Sequence, residues 1–448
     1  MLYFILFFSC SETIKSSSES NTETETETKT KTSIVLDVQQ IDLELNIVEN
    51  SAVAKMTIIT TESQIKLHAK RIMIQSVKKE NLDLSFEQED GYLMISLPES
   101  NGSNWNELEI IYTFPDRTLY QFDGWMPEQG VSFIWPNHCG NLYPCNPDTQ
   151  DGVAFSIDIV GVSETLTVVT PTETIPEAPP YMLGFAIGDY QKMHVGTSEG
   201  GVDLYAWYFD GDDGLEDATY GVWHMVESVN FLEQTYGPYA FGNSMGTVEV
   251  DWGSDSYGGM EHHPYFHVGQ YDFWNEEAQI HEVVHGWFGN AVRLQCWEDF
   301  VLSEGTVTYM TARTLEQVAG YDLWDYYMEY FLEPICEGYD YNAIVMPNGC
   351  NEIDFENSHL WSLAPYMKGA CFYEEVGDIL GPDVLDQIIS DFYIMHMYQA
   401  ATMEEMIEFI YQHSSSEQQS LIETSVQDWL LELECPNDYR NRCLYRNP

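Results

Sequence analysis

From Ser33 to about Tyr190 the chain alternates apolar and polar residues in short runs, with breaks containing Pro and Gly between them. The runs Ile34-Val35-Leu36-Asp37-Val38, Ile41-Asp42-Leu43-Glu44-Leu45, Tyr92-Leu93-Met94-Ile95-Ser96-Leu97 and Phe155-Ser156-Ile157-Asp158-Ile159 have the period of two that places every second side chain on a buried face. Strand after strand of this kind predicts an antiparallel β domain over 33–194. Around residue 195 the pattern changes. After one more strand, 202–208, the residues Tyr220, Val222, Met225, Val226, Val229 and Leu232 recur at helical spacing and predict a helix over 216–236. From there to the C-terminus helices are expected to dominate, and 195–448 is read as a second domain. No internal repeat is seen.

One helical stretch carries chemistry. His281-Glu282-Val283-Val284-His285 puts two imidazoles four residues apart, so that both can reach one metal ion from a single helix face. Glu282 lies beside them as a base for a water polarised by that metal. Ile280, Val283, Val284, Trp287 and Phe288 form an apolar stripe that leaves the histidines on the less apolar side. Gly289-Asn290 then offers a helix stop. A metzincin would need a third histidine where Ala291 stands and a glycine where Phe288 stands, which excludes that class. Glu304, in Leu302-Ser303-Glu304-Gly305, fits as the third ligand from a returning helix. Ser303 is the expected N-cap of that helix, and Val307, Met310, Leu315 and Val318 keep the period until Gly320.

Composition narrows the partners. The 17 basic and 73 acidic residues give a formal charge of −56, which excludes nucleic acid because phosphate binding needs clustered Lys and Arg. A solubilising surface, attraction of cationic peptides and a salty habitat all remain open as reasons for the acidity. The hydrophobic content of 44% is that of a globular protein, and no run of eighteen apolar residues occurs. Residues 1–10 are apolar up to Ser9-Cys10 and look like the end of a bacterial lipoprotein signal, with Cys10 as the lipidated terminus; an ordinary signal peptide is the alternative. Residues 11–32, rich in Ser, Thr and Glu, read as a disordered tether. Export, to the cell surface, the periplasm or the medium, follows from both.

Apart from Cys10, eight cysteines remain, an even set that suits an oxidising compartment. Short separations suggest pairing 139 with 145, 336 with 350 and 435 with 443, which leaves Cys296 with Cys371.

Four islands in order then resemble the aminopeptidase N-like gluzincins, a family that also includes leukotriene hydrolases. These are Leu142-Tyr143-Pro144-Cys145 with Phe155-Ser156-Ile157, Tyr257-Gly258-Gly259-Met260-Glu261-His262, the stretch from His281 to Glu304-Gly305, and Pro365-Tyr366-Met367-Lys368-Gly369. The junction 183–190 is similar as well. The resemblance implies an α+β multidomain fold: a saddle-like N-terminal β domain followed by a mainly helical, thermolysin-like catalytic domain. It implies one Zn2+ held by His281, His285 and Glu304, with Glu282 as general base. Tyr366, which nothing in its spacing distinguishes from the other 28 tyrosines, becomes the donor to the oxyanion. Gly258, Gly259, Met260 and Glu261 become the substrate-binding segment, with Glu261 as anchor for a free α-ammonium.

The chain departs from the pattern in three places. His262 stands where the family has Asn, Asp148 stands where a second amine-binding Glu or Gln is usual, and the chain ends at Pro448 without the helical C-terminal domain that covers the site in many relatives. A more open cleft is therefore expected. The leading reading is a zinc aminopeptidase acting on peptides with a free N-terminus. An endopeptidase and a non-catalytic peptide-binding surface protein remain beside it.

Overall fold

A computed structural model of the chain describes residues 36–98, 104–115, 124–211, 213–253, 256–350, 353 and 358–444. The segment with Cys10, the residues of the expected tether, and Ile34-Val35 lie outside the described residues.

The N-terminal half is β-rich. Its largest sheet runs, in spatial order, Ile175–Ala178, Val153–Val160, Leu36–Asn46, Ser51–Thr60, Trp105–Thr113, Met73–Lys79 and Leu82–Asp83. The two runs expected at 34–38 and 41–45 are one strand. Its buried residues Val38 and Ile41 are three apart, which breaks strict alternation, and a bulge between Val38 and Gln40 restores the phase so that Ile41, Leu43 and Leu45 all face the core. The sheet is mixed rather than purely antiparallel, since Val153–Val160 lies parallel to Leu36–Asn46 with Phe155 beside Ile41 and Ile157 beside Leu43. Two smaller sheets complete this half: Gln64–His68, Tyr92–Ser96 and Phe86–Glu89, and Thr167–Val169, Ala186–Gly188, Val131–Phe133 and Gly124–Met126.

The second half is helical around a five-stranded sheet of Tyr190–Thr197, Asp203–Phe209, Ser244–Val250, Tyr265–Gly269 and Gly259–Met260. Only the second of these strands was expected. Ser244–Val250 and Tyr265–Gly269 are buried at nearly every position, so they carry no two-residue alternation to read. The helix expected over 216–236 is two, Gly214–Gly221 and Met225–Thr235. Glu276 causes the break by accepting from both the His224 amide at 2.7 Å and His224 Nδ1 at 2.9 Å, which draws that residue out of helical pairing.

Three helices matter for the site. Glu276–Val284 is capped by Asn275, whose side chain accepts from the Glu277 amide at 3.2 Å, and it ends with His285 as its C-cap. Val283, Val284, Trp287 and Phe288 are fully buried, each contributing roughly 1.5–3 kcal/mol of transfer free energy. Phe300–Ala319 starts four residues earlier than Ser303 as N-cap would have set it, because a 3-10 turn at Trp297–Asp299 leads straight into it, and it closes on Gly320 in the left-handed region at φ 70°. Glu304 therefore sits in its second turn. Ala364–Leu380 carries Tyr366 and packs along Phe300–Ala319.

Of the expected disulfides, Cys139–Cys145 is present. The other six cysteines pair as Cys296–Cys350, Cys336–Cys435 and Cys371–Cys443, across 54, 99 and 72 residues. Short separation was the wrong guide there: Cys443 of the C-terminal segment reaches Cys371 on the Tyr366 helix, Cys435 reaches Cys336, and Cys350 reaches Cys296, each pair within 6 Å between Cα atoms. Arg293 joins the two halves from a buried position, donating to the carbonyls of Glu177 at 2.7 Å and Tyr398 at 3.0 Å. Among the described residues no helix is long and apolar enough to cross a membrane.

Candidate active site and metal centre

His281 Nε2, His285 Nε2 and Glu304 Oε2 form a triangle with sides of 3.2, 3.2 and 3.3 Å. Ligand atoms about 2.1 Å from a tetrahedral zinc lie about 3.4 Å apart, so the three donors match such an ion in type and in spacing. The tautomer of His285 is set by its other nitrogen, where Nδ1–H donates to the Phe288 carbonyl at 3.1 Å and leaves Nε2 to present a lone pair. Gly289 makes the turn that brings this carbonyl round. Its φ is 93°, and a Cβ there would stand 2.8 Å from His285 Nδ1.

Glu304 reaches the triangle because two helices meet without side chains between them. A Cβ on Gly305 would lie 2.8 Å from the Cα of Gly369, so the Phe300–Ala319 and Ala364–Leu380 helices touch backbone to backbone next to Glu304. One turn before Gly369, Tyr366 stacks its ring on His281 at 5.9 Å and meets Phe300 edge-on at 6.0 Å. Burial pushes the Tyr366 hydroxyl well up, and Glu304, Glu261 and Glu282 push it further, so it stays protonated as a donor.

The carboxylates divide by environment. Burial raises Glu282 well above the usual carboxylate range; His285 pulls it down, while Glu261 and Glu304 add to the rise. Its Oε2 is a buried oxygen with no hydrogen-bond partner among the described residues, open to take a proton. Glu304 is as buried, yet His285 and His281 hold it low, as an anion. An anionic Glu304 facing two imidazole nitrogens is a donor set that suits a dication. Separate environments for neighbouring carboxyl groups are how one site holds both a ligand and a base.

Glu261 is buried beside this group, and one donor atom from each of Glu261, Glu282 and His285 lies within 4.8 Å of the others. Burial raises its carboxyl, His285 lowers it, and Glu304 raises it again. Its carbonyl accepts from Asn290 Nδ2 at 2.9 Å and from the His263 amide at 2.8 Å, which ties the 258–263 segment to the turn after His285. Gly258 needs its φ of 71° for the turn into the short strand Gly259–Met260. Met260 is buried and pairs with His267.

Two positions where the chain departs from the family pattern make contacts of their own. Asp148 accepts from the Gln150 amide at 3.3 Å and from Gln150 Nε2 at 2.7 Å. His262 turns toward the N-terminal half, with Nδ1 3.2 Å from His267 Nδ1 and Nε2 3.5 Å from the Ile134 carbonyl. Tyr181 was not anticipated. It comes from the N-terminal half, is 3% exposed, and shares a hydrogen bond with Glu261. No local spacing marks it, because it reaches the site only through packing of the two halves.

The chain is similar to known peptidases. Residues 268–429 match the Peptidase family M1 domain. Leucine aminopeptidase 2 of Emericella nidulans is 23% identical over 291 residues, covering 57% of this chain and 44% of that protein. Leucine aminopeptidase 2 of Aspergillus niger is 27% identical over 212 residues, covering 41% of this chain and 32% of that protein. The chain thus spans less than half the length of these relatives. The M1 zinc metallopeptidase of Deinococcus radiodurans superposes with a TM-score of 0.74 at 19% identity, covering 90% of this chain and 94% of that one. A mutant of it has been solved bound to a Tyr-Ser-Ala substrate, again with a TM-score of 0.74, at 18% identity over 90% of this chain and 95% of that one.

Proposed function

We propose that this chain, an aminopeptidase N-like gluzincin, is a zinc-dependent aminopeptidase that hydrolyses the first peptide bond of substrates with a free N-terminus. The observation that carries the reading is Glu261 beside Glu282 and the His281, His285 and Glu304 triangle. In any N-terminal residue the α-nitrogen lies only about 2.5 Å from its carbonyl carbon. A carboxylate that binds the ammonium next to the triangle therefore sets the first carbonyl over it and leaves no room for a preceding residue.

His281, His285 and Glu304 would hold one zinc ion, which supplies a Lewis acid and lowers the pKa of a bound water toward 7. Glu282, kept basic and unpaired, takes the proton of the attacking water and returns it to the leaving amine. Tyr366 donates its hydroxyl to the developing oxyanion, a contribution of about 3 kcal/mol for a well-placed donor. Glu261 binds the substrate ammonium, with Tyr181 fixing the carboxylate and Gly258, Gly259 and Met260 shaping the segment around it.

Asp148, tied to Gln150, leaves Glu261 as a single-carboxylate anchor, and this favours an endopeptidase as the second reading. Hydrolysis of a free-amine peptide and its N-acetylated counterpart by wild type and Glu282→Gln separates the readings. The aminopeptidase cleaves only the free amine and loses that activity in the mutant. Equal cleavage of both peptides indicates an endopeptidase, and equal turnover by wild type and mutant a binding protein.

The division into a β domain over 33–194 and a peptidase domain over 195–448 belongs to the same proposal, with strand Tyr190–Thr197 crossing the join. So does export with a lipid anchor at Cys10, a compartment that four disulfides suit.

A further inference from the structure

We infer that His263, backed by Tyr239, is a positioning residue that ends the His281 helix at the carbonyl of Glu282 and so aims both Glu282 and His285. In an unbroken helix the Glu282 carbonyl would accept from the Gly286 amide. Here that amide bonds the Val283 carbonyl at 3.0 Å, a tighter 3-10 closure, and the Glu282 carbonyl accepts from His263 Nε2 at 2.7 Å instead. The carbonyl can only accept, so Nε2 carries the proton and Nδ1 is the acceptor. The Tyr239 hydroxyl, 2.9 Å away, must then donate to Nδ1. Burial pushes His263 down to about 3, which keeps the ring neutral and this tautomer in place.

The ring has little freedom. It packs among Tyr239, Phe241 and Phe266 at centroid distances of 5.6–6.2 Å. Gly286 lets the pair approach the helix end, since a Cβ there would stand 2.8 Å from Tyr239 and 3.1 Å from His263. The result is that the helix ends with His285 as its C-cap in tighter i to i+3 closures, and the next turn supplies the Phe288 carbonyl that fixes His285 Nδ1. The same short segment grips Glu282 at both ends: Gly259 adjoins its carboxylate and His263 holds its carbonyl.

This inference rests on the hydrolase reading above. Its test measures kcat, KM, zinc affinity by chelator competition and thermal midpoint for His263→Phe, His263→Gln and Tyr239→Phe. Outer hydrogen-bond partners of metal sites typically change activity or metal affinity by about 10–100-fold. With zinc saturating, His263→Phe is expected to lose at least about tenfold in kcat with KM within about twofold. His263→Gln, whose amide nitrogen reaches about as far, should restore kcat to within about threefold of wild type. Tyr239→Phe should fall between them. A purely structural role would lower the thermal midpoint while leaving kcat of the folded, zinc-loaded protein unchanged, and that result overturns the inference. If His263→Phe does not fold, unchanged kcat in Tyr239→Phe overturns it. If wild type itself cleaves no aminoacyl substrate, the activity reading fails alone. Zinc affinity then decides this one, with about tenfold weakening in His263→Phe supporting it and no change contradicting it.

Discussion

Gly259 has no side chain where the carboxylate of Glu282 lies, and a Cβ built there would stand 2.4 Å from Glu282 Oε1. The glycine is required by space rather than by backbone conformation. Gly259→Ala should push the base off its position and reduce kcat at least about tenfold, with zinc content unchanged by metal analysis. Unaltered kcat would show that the carboxylate has other room.

Gly305 and Gly369 are the corresponding pair for Glu304 and Tyr366. Gly305→Ala forces the two helices apart at their closest point and should cost about 1–3 kcal/mol in denaturant unfolding, the usual range for overpacking. Because Glu304 and Tyr366 lie on opposite sides of that contact, the variant should also turn over more slowly once folded and loaded with zinc.

Glu261→Ala tests the amine anchor. Removing one partner of a buried charge pair costs about 2–5 kcal/mol, so kcat/KM for a free-amine dipeptide substrate should fall at least about thirtyfold. Cleavage of an N-acetylated peptide should not fall with it. Equal losses on both substrates would mean that Glu261 supports the site without reading the ammonium.

Asp151 gives a pH dependence away from the site. Its carboxyl accepts from the Val38 amide and from Asn146, yet burial pushes it up to about 8 from an ordinary 3.8. Between those values the folded state binds a proton that the unfolded state has released, so this group makes stability fall as pH rises from about 4 to 8. Asp151→Asn should flatten that part of the stability profile measured by urea unfolding. A slope unchanged by the substitution would show that other groups set it.

The candidate site was legible where its residues are local. His281, Glu282 and His285 lie within one helical turn and a half, and Glu304 follows on the next helix, so spacing alone brings them together. Tyr366 could be singled out only by resemblance, because its place depends on the Gly305–Gly369 contact between helices. Tyr181 and His263 have no local signal, since each acts through packing with a distant segment. Ser244–Val250 and Tyr265–Gly269 escaped notice for the reason that buried parallel strands do in general: both faces are buried, so no two-residue alternation of inside and outside is written into them. The three long-range disulfides depend on tertiary packing, two of them on how the segment with Cys435 and Cys443 folds back, which no separation in sequence encodes.

The most direct test of the metal centre is anomalous diffraction at the zinc edge from crystals grown with the metal in excess. A single peak about 2.0–2.2 Å from His281 Nε2, His285 Nε2 and a Glu304 carboxylate oxygen is the predicted result. No peak at the triangle, with the three side chains turned away from one another, would contradict it.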